Sequence, residues 1–136
     1  MINRIFKNVC VTGAGSGIGR AIAIAMSNQG YNVTCADINL KQANETLEII
    51  LNSSGSGISI ETDVTKINDI ENMILKTVKQ FGTIDILVNN AGVTRTSNIM
   101  DLTEKDWDWI HNVLSLIHIS EPTRRTPISY AVFCLK

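Results

Sequence analysis

Apolar positions along the chain alternate between two spacings. Asn8–Thr12 (N-V-C-V-T) is a short β-branched run that ends in glycines, and Ile18, Ala21, Ile22, Ala25 and Met26 then follow at helical spacing until Gly30. The pattern predicts strand, glycine turn, helix. Residues 31–36 (Y-N-V-T-C-A) form a second strand pattern, and Leu40, Ala43, Leu47, Ile50 and Leu51 mark one face of a second helix ending before Ser53-Ser54-Gly55. Residues 58–62 predict a third strand. Thr65 is placed to cap a helix whose apolar face is Ile67, Ile70, Ile74, Val78 and Phe81, and Gly82 ends it. Residues 84–88 (I-D-I-L-V) predict a fourth strand.

Strands alternating with amphipathic helices imply parallel strands joined by right-handed crossovers, with helices on both faces of the sheet. The expected class is α/β, a Rossmann-type doubly wound parallel sheet. At about 25 residues per strand-helix unit the chain is short for six strands, so a truncated sheet of about four strands is expected. The pattern changes at Leu114. The string L-S-L-I-H-I-S-E-P-T-R-R-T-P-I-S-Y-A-V-F-C-L-K holds both prolines of the chain and the Arg124-Arg125 pair, and it continues no alternation. Residues 1–113 are therefore expected to be one incomplete domain, and 114–136 a non-native or disordered tail.

Composition narrows the class. The 136 residues are 44% hydrophobic, with 12 Lys plus Arg against 13 Asp plus Glu, which is globular composition for one domain. A net charge of −1 supplies no general positive field for nucleic acid or a membrane surface, so neither partner is expected and anionic ligands must be held locally. Cys10, Cys35 and Cys134 have no C-x-x-C spacing, and the first two sit in apolar runs, which predicts buried reduced thiols in a reducing, cytoplasmic compartment. His111 and His118 have no partner at metal spacing, so no metal site is expected.

Candidate chemistry lies at the predicted strand ends. Thr12-Gly13-Ala14-Gly15-Ser16-Gly17-Ile18-Gly19 joins the first strand to the first helix, where helix N-terminal amides and the dipole attract phosphate. Its spacing is G-x-x-x-G-x-G, and Gly19-Arg20-Ala21 lacks the Lys-Ser/Thr of a triphosphatase loop. Asp37, 18 positions beyond Gly19, stands where an acid can accept ribose hydroxyls and repel a 2′-phosphate. Neither Ser16, Ile38 nor Asn39 adds a cation, so NAD is expected over NADP. The competing role for Asp37 is a helix cap, which Asn39 can fill equally well. Asp63 can accept from an adenine amino group or cap a helix with Thr65 as competitor. Asn89 and Asn90 end the fourth strand and either hold the turn or meet a ligand. Trp107 is expected to pack, Trp109 to reach solvent or a subunit interface, and Asp101, Glu104, Asp106 and Asp108 to form an acidic helix start.

Together T-G-A-G-S-G-I-G, Asp37, Asp63-Val64 and Asn89-Asn90-Ala91-Gly92 resemble the classical short-chain dehydrogenase/reductase family, over residues 7 to 113. Gly92-Val93-Thr94-Arg95 followed by Trp107 is similar to its 3-oxoacyl-acyl-carrier-protein reductase branch. The resemblance implies that Gly13, Ser16, Gly17, Ile18 and Gly19 line the pyrophosphate and that Asp37 holds the ribose. It likewise implies that Asp63 and Val64 bracket the adenine, while Asn90, Ala91 and Gly92 border the nicotinamide half. It further implies hydride transfer between an alcohol and a ketone or 3-oxoacyl substrate, and a homo-oligomeric whole protein.

Such chemistry needs a proton donor at the carbonyl oxygen while hydride reaches carbon. The family supplies it with Asn, Ser and Tyr-x-x-x-Lys, but the Asn position is Leu114 and the residue four beyond Tyr130 is Cys134. The chain is therefore expected to be inactive, with no catalytic residue of its own. The alternatives are a non-catalytic dinucleotide sensor and a methyltransferase on a similar sheet, the latter disfavoured by Asn89-Asn90-Ala91-Gly92.

Overall fold

The computed structural model describes residues 7–92, 103–116 and 130–132. Among these residues, five parallel strands lie in the order β3-β2-β1-β4-β5: β1 (Asn8–Thr12), β2 (Asn32–Asp37), β3 (Ser56–Glu61), β4 (Ile86–Val88) and β5 (Tyr130–Val132). Four helices accompany them: α1 (Gly17–Asn28), α2 (Leu40–Asn52), α3 (Ile67–Phe81) and α4 (Glu104–Leu116). The chain runs outward from β1 through β2 to β3, then returns to place β4 on the other side of β1, so the winding reverses between β1 and β4. Strand ends flanking such a reversal leave a crevice where ligands bind in open parallel sheets.

The alternation of side chains explains why the inner strands are apolar throughout. In β1, Val9 and Val11 join Val33 and Cys35 of β2, Ala23 of α1 and Ala43 and Ile50 of α2 in one buried cluster. Cys10 points to the opposite face, where it packs with Ala36, Ile60, Leu87 and the α3 residues Ile70 and Met73. Both faces are covered, as two-layer burial of a parallel sheet requires. Cys10 and Cys35 are accordingly buried free thiols on opposite faces of the sheet. Asn8 ties together the amino ends of the central strands. Its side chain donates to the Phe81 carbonyl and the Thr83 hydroxyl and accepts from Asn32, and its amide donates to Asp85.

Three local expectations change. The α3 N-cap is Lys66, without a side-chain cap bond, rather than Thr65, because the Thr65 hydroxyl is spent on Asp63 Oδ1 at 2.6 Å. Trp107 does not pack: it is 56% exposed against 47% for Trp109, α4 makes no extensive contact with another described element, and the Trp107 ring lies 4.5 Å from that of His111. At the tail, the loss of pattern at Leu114 predicts no further element, yet α4 continues through Leu116 and Tyr130–Val132 pairs with Ile86–Val88. A three-residue segment of high strand propensity here occupies the hydrogen-bonding edge that β4 offers. The four expected strands are thus joined by a short fifth one. Thr103 and Asp106 cap α4 reciprocally, the Thr103 hydroxyl donating to Asp106 Oδ2 at 2.7 Å and accepting from the Asp106 amide at 3.2 Å. Val93, Thr94, Arg95, Asp101, His118, Arg124, Arg125 and Cys134 lie outside the described residues.

Candidate dinucleotide site

The glycine loop leaves β1 and enters α1 with Ser16 as N-cap, in extended conformation and with no side-chain cap bond. An uncapped helix start leaves its first amides without a side-chain acceptor and the positive end of the dipole available to an anion. Ser16, Gly17 and Ile18 are exposed there, and a Cβ built on Gly17 meets nothing within 4 Å. Gly19 differs. It is buried, with a built Cβ falling 2.0 Å from the Gly13 carbonyl oxygen and 2.5 Å from Asn90 Nδ2. Gly13 has φ +66, and its own Cβ would stand 2.9 Å from Asn90 Nδ2. The open part of the loop is therefore residues 16–18, and Gly13 and Gly19 let α1 approach the ends of β1 and β4.

Asp37 is the last residue of β2 and is buried. Its Oδ2 accepts from the Gly15 amide at 2.8 Å and its Oδ1 from the Asn39 amide at 2.9 Å. Asn39, not Asp37, caps α2, accepting from the Gln42 amide at 3.2 Å. A carboxylate has about four acceptor sites, so with one bond on each oxygen two remain for a pair of vicinal hydroxyls. Asp63 follows β3 and is engaged locally: Oδ1 accepts from the Thr65 amide and hydroxyl, and Oδ2 lies 3.6 Å from the Lys66 ammonium. Burial pushes its carboxyl up, but the Thr65 bonds and the Lys66 charge outweigh this and hold it below its ordinary value. Val64 beside it is half-buried. Asp63 thus organises the turn before α3 while staying ionised.

Beyond β4, Asn89 is buried and Asn90 bridges to the glycine loop. The Asn90 Nδ2 donates to the carbonyls of Thr12 and Gly13 at 3.2 and 3.4 Å, and the amides of Asn90 and Ala91 both donate to Thr12 Oγ1. The Thr12 hydroxyl in turn donates to the Val88 carbonyl at 3.3 Å. Gly92, next in the turn, is exposed. The Asn90 side chain is therefore committed to the turn in this structure. Thr12 was visible in sequence only as the first letter of the loop motif, and nothing there signals that one hydroxyl joins the ends of β1 and β4. Thr12→Val is expected to leave two amides and a carbonyl short of a partner and to cost about 2–3 kcal/mol. Urea unfolding of both proteins checks it.

Arg20 has a structural role that its place in the motif does not disclose. Its guanidinium contacts the Gly15 carbonyl, Thr46 Oγ1 at 2.9 Å and Glu45 Oε2 at 3.1 Å, tying the loop to α2. The helical spacing of Arg20 and Thr46 in separate helices gives no sequence clue that they meet.

An open parallel sheet with an uncapped glycine loop, an acid ending the next strand and an Asn turn beside the reversal is a dinucleotide-binding architecture of the Rossmann type. The short chain dehydrogenase family model matches residues 7–122, and the chain belongs to that family of oxidoreductases. It is 43% identical over 102 residues to an uncharacterized oxidoreductase of Thermotoga maritima, covering 75% of this chain and 40% of that protein. It is 38% identical over 103 residues to a 3-oxoacyl-acyl-carrier-protein reductase of Staphylococcus epidermidis, covering 75% and 42%. Among solved structures, a 3-ketoacyl-ACP reductase from Sinorhizobium meliloti superposes with a TM-score of 0.78 at 32% identity, over 83% of this chain and 45% of that one. One from Brucella melitensis, complexed with NADH, gives 0.77 at 27%, over 84% and 46%. The chain spans less than half the length of these relatives.

Proposed function

We propose that residues 1–113 are the cofactor-binding part of an NAD-dependent oxidoreductase that, in its whole form, moves hydride between an alcohol and a ketone or 3-oxoacyl substrate. The observation that carries this reading is convergence. The uncapped start of α1, the half-free carboxylate of Asp37, the ionised Asp63 and the Asn90 turn all follow the carboxyl ends of neighbouring strands. The amides of Ser16, Gly17 and Ile18 would hold the pyrophosphate, with Gly13 and Gly19 shaping the loop. Asp37 would hold the ribose, Asp63 and Val64 the adenine, and Asn90, Ala91 and Gly92 would border the nicotinamide half. NAD is favoured over NADP because Asp37 repels a 2′-phosphate and Arg20, a nearby cation, is engaged by Glu45 and the Gly15 carbonyl.

The bound dinucleotide supplies the hydride. A proton donor must accompany it, and Leu114 and the Tyr130–Cys134 spacing offer none of the family's Asn, Ser and Tyr-x-x-x-Lys set. Residues 114–136 are read as a tail foreign to the domain, and the chain as inactive. The proposed setting is cytoplasmic, with no nucleic-acid or membrane partner and a homo-oligomeric whole protein. No helix among the described residues is long and apolar enough to cross a membrane.

Calorimetric titration of the full chain tests this. NADH is expected to bind more tightly than NADPH, and Asp37→Ala to weaken NADH by about tenfold or more through loss of charge-assisted hydrogen bonds. No alcohol should be oxidised. Absence of NADH binding refutes the cofactor assignment, a preference for NADPH refutes the reading of Asp37, and NAD-dependent turnover refutes inactivity.

A further inference from the structure

The Asp37 carboxylate is linked to a half-buried cation, Arg20, on the far side of the loop. Arg20 Nε donates to Thr46 Oγ1 at 2.9 Å, the Thr46 hydroxyl donates to the Ala14 carbonyl at 2.8 Å, and the amide of the same peptide, on Gly15, donates to Asp37 Oδ2 at 2.8 Å. Every donor points the same way, from the guanidinium to the carboxylate, so each bond polarises the next. Thr46 is fully buried in α2, and its alternative acceptor, the Gln42 carbonyl, is farther at 3.2 Å. Glu45 and the Gln42 carbonyl hold Arg20 from its outer side, at 3.1 and 3.4 Å.

We propose that Arg20 and Thr46 are positioning residues that orient Asp37 for the ribose through the Ala14–Gly15 peptide. The inference deepens the dinucleotide reading above and rests on it for its binding readout. With Oδ2 fixed by this path and Oδ1 by the Asn39 amide, the plane of the carboxylate is set from both sides. Its remaining lone pairs then meet two vicinal hydroxyls without further ordering, which is preorganisation rather than a new contact. A simple staple between α2 and the loop would instead act on all ligands of the loop alike.

Thr46→Val keeps the shape of the side chain and removes the hydroxyl, and Thr46→Ser restores it. In the full chain, Thr46→Val is expected to raise the NADH Kd by about tenfold, the worth of one bond in a charge-assisted set, with the NADPH Kd changing less than about twofold. The NADH preference therefore collapses, and Thr46→Ser and wild type agree within about twofold. Equal losses for both dinucleotides, or a Thr46→Ser protein that behaves like Thr46→Val, overturn the proposal. A second readout needs no ligand: the Gly15 amide proton, seen by NMR, is expected to move upfield in Thr46→Val and Arg20→Met but not in Thr46→Ser. An unmoved resonance overturns the relay even if wild type binds no dinucleotide, whereas a moved one together with failed binding refutes only the cofactor reading.

Discussion

Gly19→Ala is expected to destabilise the domain by more than about 3 kcal/mol, a large share of what a small domain possesses. The added carbon would lie 2.0 Å from the Gly13 carbonyl oxygen and 2.7 Å from its carbon, and backbone cannot rotate away as a side chain tip can. Gly13 is itself held at φ +66 between the Thr12 and Asn90 ties, so relief must come from α1 moving off the sheet. That movement separates Ala23 from Val9, Val11 and Val33, opening the cluster on that face. Overpacking alone costs about 1–3 kcal/mol, and the lost Asn90 bonds add about 1 kcal/mol each. Gly17→Ala is the internal comparison. Its Cβ meets nothing within 4 Å, so only the left-handed backbone at φ +53 is penalised, by about 1–2 kcal/mol. Urea midpoints read at constant slope decide the matter: similar losses for the two variants would show that the helix does not approach the loop closely.

That asymmetry between two glycines of one motif marks the limit of what the sequence discloses. The period of apolar residues located β1 at its observed bounds, the end of α3 at Phe81, and the other bounds of the first four strand-helix units within a few residues, because both faces of each strand and one face of each helix are buried. The parallel class followed from alternation. The motif also located the loop, but Gly13, Gly17 and Gly19 are identical letters with different duties, and only the close approach of α1 to the Gly13 carbonyl and the Asn90 side chain separates them. Asp37 was legible because a strand end and its distance from the loop define its place. Thr12, Arg20 and Thr46 were not, since their partners lie 25 to 80 residues away or in another helix and carry no spacing that repeats. The short β5 was illegible for a different reason: three residues are too few for a period of two to show against Pro127 and a polar approach.

Alkaline pH is expected to unfold the domain through the two core thiols. Burial pushes Cys10 and Cys35 from 9.0 up to about 12, with a bond to Thr77 opposing the rise at Cys10 and the nearby Cys35 adding to it. Below the ordinary thiol value both residues are protonated in the folded and unfolded chains, and their contribution to stability is fully present. Between that value and about 12 the unfolded chain releases protons that the folded chain retains, so stability falls as pH rises. The slope per thiol climbs through this window toward about 1.4 kcal/mol per pH unit, and the two together remove about 3 kcal/mol between pH 9 and 10.5. All other groups are common to wild type and to a Cys10→Ala/Cys35→Ala variant. The difference between the two stability curves isolates the thiols. It should be flat below pH 8 and close steadily above pH 9, with the variant losing its initial disadvantage from the vacated volume. Parallel curves to pH 10.5 would mean that the two strands admit solvent, and that the sheet interior at β1 and β2 is looser than its packing implies.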